Sequence, residues 1–291
     1  MSIVEKALGK AQGKTSGETA DQLLDQSLRG DVHRLPTRDE PKPHSRLTVD
    51  REALNAQGMT PRPEHQLRLT NELRRVKRPL LEPLLAPPVD GAEAIRREIV
   101  VTSSVPNEGK TFITLNLALS IATEKDCKVL LVDGDLAKPH LTALLGQTDQ
   151  PGLTDLLADE ALDPFECISD TNIDGLWFMP AGKMSPNAPE LVASRRMRQI
   201  CKIIAARDPR RIVLFDSPPV LASNEAQALA SHIQNILVVV RADFTAPDTL
   251  SDTLRVIGDK RISCILNRAP QSTTSPFYGT YGMYGSKSNS S

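Results

Sequence analysis

No tyrosine occurs in this chain before position 278: Tyr278, Tyr281 and Tyr284 all stand near its end, and aromatic residues make up only 3% of the 291 positions. Apolar runs are also short. None approaches the roughly 20 residues that a membrane-spanning helix needs, and the start, MSIVEKALGK, has an acid inside it and no signal-peptide core. The four cysteines, Cys127, Cys167, Cys201 and Cys264, are far apart and match no metal-ligand or redox spacing, so they are expected to be reduced core thiols. Excess charge is missing too. A formal net charge of -1 gives no overall attraction to nucleic acid or anionic lipid, and nucleic acid is not expected as a partner. These absences point to a cytoplasmic protein, with any membrane association peripheral and through a partner.

The chain is long enough for one α/β domain with tails. Ser2 and Glu5 have the form of a capping box, and Ile3, Val4, Ala7, Leu8 and Ala11 give a short amphipathic helix. From Gly13 to about Pro63 the chain is polar and proline-bearing, so residues 1–65 are expected to be a short helix plus a largely disordered linker. Residues 66–81 read as a basic helix carrying Arg68, Arg74, Arg75, Lys77 and Arg78 against the single acid Glu72. After a break at Pro83, Pro87 and Pro88, β-branched runs alternate with helix-length stretches, the pattern of a mostly parallel sheet flanked by helices. Strands are expected at 98–102, 128–133, 176–180, 211–216, 235–241 and 263–267, and helices at 111–124, 189–206, 224–232 and 247–258. The compact domain thus spans 66–270, and 271–291 form a flexible Ser/Thr/Gly/Tyr tail.

The chemistry begins directly after the strand EIVVTS, at Ser104, Val105, Pro106, Asn107, Glu108, Gly109, Lys110 and Thr111, followed by Phe112 and a helix. In a phosphate-binding loop so placed, backbone N–H groups and the helix N-terminus converge on the β- and γ-phosphates. Lys110 neutralises them, and the Thr111 hydroxyl ligates magnesium. Ser104 replaces the first glycine of the usual pattern. The strand KVLLV ends in Asp133 and Asp135, with Lys138 following, and RIVLF ends in Asp216-Ser-Pro-Pro219. Ligands bind beyond the carboxyl ends of strands in open α/β sheets. Asp216 is therefore expected to hold magnesium directly or through water, while Asp133 and Asp135 orient the metal or accept a proton. Lys110, Asp133, Asp135 and Asp216 are the candidate catalytic residues; Thr111, Asp133 and Asp216 are the candidate metal ligands. The competing reading is that the aspartates cap the following helices.

These motifs resemble the bacterial tyrosine autokinases of exopolysaccharide synthesis, over a stretch from about Glu72 to the tail, and look closest to the subgroup associated with exosortase-type export. Further matches are Met179-Pro-Ala-Gly182, Asn187-Ala-Pro-Glu190-Leu191 and Ser217-Pro-Pro-Val-Leu221. The related partitioning ATPases carry a signature lysine where this chain has Val105. The resemblance implies a P-loop NTPase fold, ATP and magnesium as cofactors, Asn267 near the base, and phosphorylation of Tyr278, Tyr281 and Tyr284. It also implies a homo-oligomer joined through Glu72, Arg75 and Arg78, and a membrane polysaccharide co-polymerase as activating partner. The family often has arginine where this chain has Ala137, with Lys138 next. Two other functions stay open at this point: a partitioning-type switch ATPase, and a non-catalytic ATP-binding adaptor.

Overall fold

The computed structural model describes residues 46–86, 97–208 and 210–269. The expected N-terminal helix, most of the linker, and the tail with its tyrosines lie outside the described residues. Eight strands form one sheet: β1 (Arg46–Leu47), β2 (Glu98–Ser103), β3 (Lys128–Asp133), β4 (Ser169–Thr171), β5 (Leu176–Met179), β6 (Arg211–Asp216), β7 (Asn235–Arg241) and β8 (Arg261–Asn267). Their spatial order is β1-β4-β5-β3-β6-β2-β7-β8, and every pair is parallel except β4 with β5.

The helices are α1 (Arg51–Ala56), α2 (Pro63–Leu85), α3 (Lys110–Ile121), α4 (His140–Leu144), α5 (Leu153–Ala158), α6 (Ala188–Ala193), α7 (Arg195–Arg207), α8 (Asn224–His232) and α9 (Pro247–Ile257). Alternation along the strands divides the core between them. Val100, Leu130, Val132, Val213 and Phe215 pack with α5, α6, α7 and α8 on one face. Ile99, Val101, Val129, Leu131, Ile212 and Leu214 pack on the other with α3 and the leucines of α2. By the same alternation Asp133 and Asp216 emerge on the α3 face, and β3–β6 pairing makes them register partners. Parallel neighbours lie about 4.8 Å apart, so the sheet alone brings these two carboxylates side by side.

The six longer strands match their expected positions to within two residues. Residues 46–62, however, belong to the fold and not to the linker. β1 adds to the sheet beside β4, and Asn172 clips it by accepting from Val49 N at 2.8 Å. Asp50 caps α1 by accepting from Glu52 N and Ala53 N, and Leu54 is buried. α2 continues through Pro79 and also through Pro83, where the sequence reads its break, because Leu80, Leu81 and Leu84 are buried on the core and tertiary packing outweighs the lost backbone bonds. The single helix expected over 189–206 is two, divided at Ser194 in extended conformation. Cys127, Cys167 and Cys201 are buried as expected, but Cys264 is exposed, since β8 is the terminal strand and its neighbour Leu266 is exposed as well. No described helix is long and apolar enough to cross a membrane.

α2 is locked to α3 by Lys77, only 4% exposed, which donates to Ser120 O at 2.9 Å and pairs with Glu124. Removing a partner from a buried carbonyl costs about 1–3 kcal/mol. Lys77→Ala is therefore expected to lower the melting temperature by roughly 5 °C, and Glu124→Ala by less because that side chain is half in solvent. Thermal unfolding followed by circular dichroism checks the order.

Candidate functional site: a phosphate loop beside two buried aspartates

The loop between β2 and α3 is held from all sides. Glu108 is fully buried and points back into the loop: one carboxylate oxygen accepts from Val105 N at 2.9 Å, and the other from the Thr245 hydroxyl. Ser103 Oγ donates to Val105 O at 2.8 Å, Arg241 Nη1 donates to Asn107 O at 3.4 Å, and Asn267 Nδ2 donates to Glu108 O at 2.9 Å. Asn107 and Gly109 take left-handed backbone, at φ 66° and 93°. A side chain on Gly109 would also strike the Asn267 amide, so glycine is required there on two counts. Ser104 has no such requirement, and its hydroxyl accepts from Thr253 Oγ1 of α9 at 2.8 Å. That contact explains why serine serves where the usual pattern has glycine.

Lys110 and Thr111 begin α3, with Gly109 as its N-cap. Burial pushes the Lys110 ammonium below its ordinary value, and Asp216, Asp135 and Glu108 counter that shift. The Asp216 carboxylate accepts from the hydroxyls of Thr111 and Thr114, the latter at 2.9 Å. Burial raises Asp216 to about 6, against those bonds and Lys110. Burial, together with the charge of Asp216, raises Asp133 to about 7. Asp133 Oδ2 accepts from Thr142 N and Oγ1, both at 2.8 Å, and Oδ1 from Asp135 N at 3.3 Å. Asp135 accepts from Lys138 N at 3.0 Å, and burial raises its pKa as well. The helix-capping reading thus has a part in Asp133, which ties α4 down, while Asp216 caps nothing and faces the loop.

The Asp-Ser-Pro-Pro run turns back over β2. Ser217 N bonds Val101 O, Val220 N bonds Ser103 O, and Thr102 Oγ1 donates to Pro218 O at 2.8 Å. The prolines remove N–H groups that would otherwise be buried without partners.

A cavity of about 670 Å³ opens on the loop, lined by Asn107, Gly109, Lys110, Thr111 and Phe112, by His140, Asn267 and Arg268, and by Gln57, Gly58 and Met59. Sequence reading did not include Gln57, Gly58, Met59, His140 or Arg268, because nothing in their spacing marks them. It missed Glu225 too, whose buried carboxylate takes a backbone bond at Ala137 and so supports the loop after Asp135. Glu72, Arg75 and Arg78 lie on the side of α2 turned from the core: both arginines are exposed, and Glu72 pairs with Arg68 at 2.7 Å. Lys138 is exposed.

Hard oxygen donors with surplus buried negative charge suit a small divalent cation. Thr111 and Asp216 are the residues that would hold it. Among the described residues no cluster of three or more His, Cys, Asp or Glu is arranged to hold a metal, so phosphate and water oxygens would complete the coordination. Such a cation would neutralise charge on the phosphates. Asp133, expected among the metal ligands, stands beside Asp216 and has Oδ2 taken up by Thr142.

A strand, phosphate loop and helix flanked by aspartates at the ends of neighbouring parallel strands define a P-loop NTPase. No family model matches the sequence. It is 30% identical over 197 residues to the tyrosine-protein kinase YwqD of Bacillus subtilis, an alignment covering 66% of this chain and 79% of that protein. It is 32% identical over 149 residues to the tyrosine-protein kinase Wzc of Salmonella typhimurium, covering 51% of this chain and 20% of that one. Among solved structures, the kinase domain of the Escherichia coli tyrosine kinase ETK superposes with a TM-score of 0.55 at 27% identity, over 62% of this chain and 70% of that domain. The chain belongs to the bacterial tyrosine-protein kinases. It spans about a quarter of the length of several of its curated relatives.

The buried aspartates set a pH dependence. Between pH 3.8 and about 7 the unfolded chain has ionised Asp133 while the folded chain retains its proton. The folded state binds more protons in that window, so raising the pH through it lowers stability. Asp133→Asn, without metal or nucleotide, is expected to flatten this fall and to stabilise the protein at pH 8 by about 1–3 kcal/mol while depressing phosphotransfer. Melting temperatures from pH 4 to pH 8 check it; an Asn variant less stable than the parent at pH 8 refutes it.

Proposed function

We propose that this chain is an ATP-dependent tyrosine autokinase that transfers the γ-phosphoryl group to Tyr278, Tyr281 and Tyr284 of a neighbouring copy and thereby regulates exopolysaccharide synthesis or export. The observation that carries the proposal is the exit of the chain. β8 ends at Asn267, whose side chain bonds the phosphate loop, and Tyr278 follows within a span that cannot exceed about 40 Å. A tethered substrate of that reach has a high effective concentration at its own phosphate loop, and equally at that of a copy held against it in an oligomer.

In this reading, the N-terminus of α3 and Lys110 hold the phosphates, and Thr111 and Asp216 take the magnesium that accompanies ATP. Asp135 lies at the exposed end of the aspartate pair, facing Lys110, and receives the proton of the incoming tyrosine hydroxyl. Asp133 fixes the loop that carries Asp135. Arg75 and Arg78 contact the neighbouring subunit. Each phosphotyrosine adds roughly -1.5 to -2 charge at neutral pH, so the modified tail repels the carboxylates of the site and leaves it. A membrane polysaccharide co-polymerase is the activating partner, by resemblance to the family.

Incubation with MgATP and mapping of phosphate by mass spectrometry tests this. Phosphate is expected on the three tail tyrosines and absent in Lys110→Met. Hydrolysis with an unmodified tail would instead indicate a switch ATPase, and binding without turnover an adaptor; either outcome sinks the autokinase reading. Substituting both Arg75 and Arg78 by alanine is expected to lower tail phosphorylation about tenfold and shift sedimentation toward monomer. Melting should change by no more than about 2 °C, because the arginines are exposed.

A further inference from the structure

The turn from α1 to α2 lines the cavity at Gln57, Gly58 and Met59. Its backbone is fixed at several points. Gly58 N bonds Asn55 O at 2.9 Å, Met59 N bonds Leu54 O at 2.8 Å, and Asn55 Nδ2 donates to Pro61 O at 2.7 Å. Asn116, on α3 one turn beyond Phe112, donates from one amide nitrogen to Met59 O at 2.9 Å and to Phe112 O at 2.7 Å. The turn is thus pinned to the helix whose first residues form the phosphate cradle. Gly58 supplies the left-handed backbone, at φ 71°, that swings Gln57 and Met59 to the same side.

The phosphate-binding groups occupy only one wall of the cavity. Asn267 and Arg268, at the end of β8, line it as well. About 670 Å³ lies between these walls, the size of a site for a whole small molecule and not for a phosphate chain alone. Asn267 spends one amide N–H on Glu108 O and one oxygen lone pair on Arg268 N, which leaves it one donor and one acceptor for a base. The turn adds a solvent-exposed primary amide on Gln57, both donor and acceptor, and on Met59, half-buried with part of its side chain on the core, a thioether of the kind that makes favourable contact with aromatic rings.

We infer that the Gln57–Gly58–Met59 turn is the nucleoside wall of the site, with Gln57 hydrogen-bonding the base or ribose and Met59 packing on the purine face. This rests on the nucleotide reading above. It makes residues N-terminal to the basic helix part of the binding site.

The test compares two ligands on the full chain by calorimetry, MgATP and magnesium tripolyphosphate, which lacks the nucleoside. Gln57→Ala is expected to weaken MgATP about fivefold, and Gln57→Ala with Met59→Ala at least tenfold, with tripolyphosphate affinity unchanged in both. Gln57 is exposed, so the single variant keeps the fold, and its melting curve verifies that. Unchanged ATP affinity in both variants overturns the inference. Equal weakening of both ligands also overturns it, assigning the turn a role in supporting the loop only. A parent protein that binds neither ligand overturns the nucleotide reading itself.

Discussion

Two carboxylates that belong in water are held side by side at the ends of β3 and β6, and much of the surrounding structure exists to keep them there. Strand register brings Asp133 and Asp216 together; apolar strands beneath remove their solvent. What stabilises them is local and specific: hydroxyls of Thr111 and Thr114 on one, the backbone and hydroxyl of Thr142 on the other, and the ammonium of Lys110 across the gap. This arrangement is under electrostatic tension, since two buried acids with raised pKa values stand at paired positions on neighbouring strands. A cation and a phosphate chain would relieve that tension together, which would couple binding of metal and nucleotide to the stability of the domain. The site is pre-organised at a standing energetic cost, as functional sites commonly are.

What could be read from the sequence follows from how far each signal extends along the chain. Three of the six main strands, β2, β3 and β7, carry runs of four or more β-branched or aliphatic residues, IVVT, VLLV and ILVVV, and buried parallel strands announce themselves in that way. The phosphate loop was legible because its residue types answer to a local backbone path: Gly109 for its left-handed turn, Lys110 and Thr111 for the head of α3. Asp133 and Asp216 were legible because strand ends are functional positions in this architecture.

The parts that were not legible depend on distant partners. β1 has two residues and α1 six, too few for any periodicity, and their composition is that of a linker. Leu47, Val49 and Leu54 nevertheless reach a core whose other members lie far along the chain. Likewise nothing in the neighbourhood of Glu108 distinguishes a nucleotide contact from the brace it forms with Val105 and Thr245. Pro83 misled for the opposite reason, since a strong local signal for ending α2 was overruled by leucines buried against α3. Cys264 was misread because residue type says buried, whereas position on the last strand of the sheet decides otherwise.

The bond from Asn267 to the backbone of Glu108 joins groups 159 positions apart in the chain. Contacts of such separation form late, because the intervening chain must be ordered before they can close. β8 is the last of the described strands in sequence and stands at one end of the sheet, so the phosphate loop gains this tether only when that strand has docked on β7. A chain still emerging from the ribosome, or one truncated before β8, has the residues of the loop without the last of the contacts that shape it. The phosphate loop is fully tethered only once the chain through Asn267 has been made, and its integrity reports that β8 is in place.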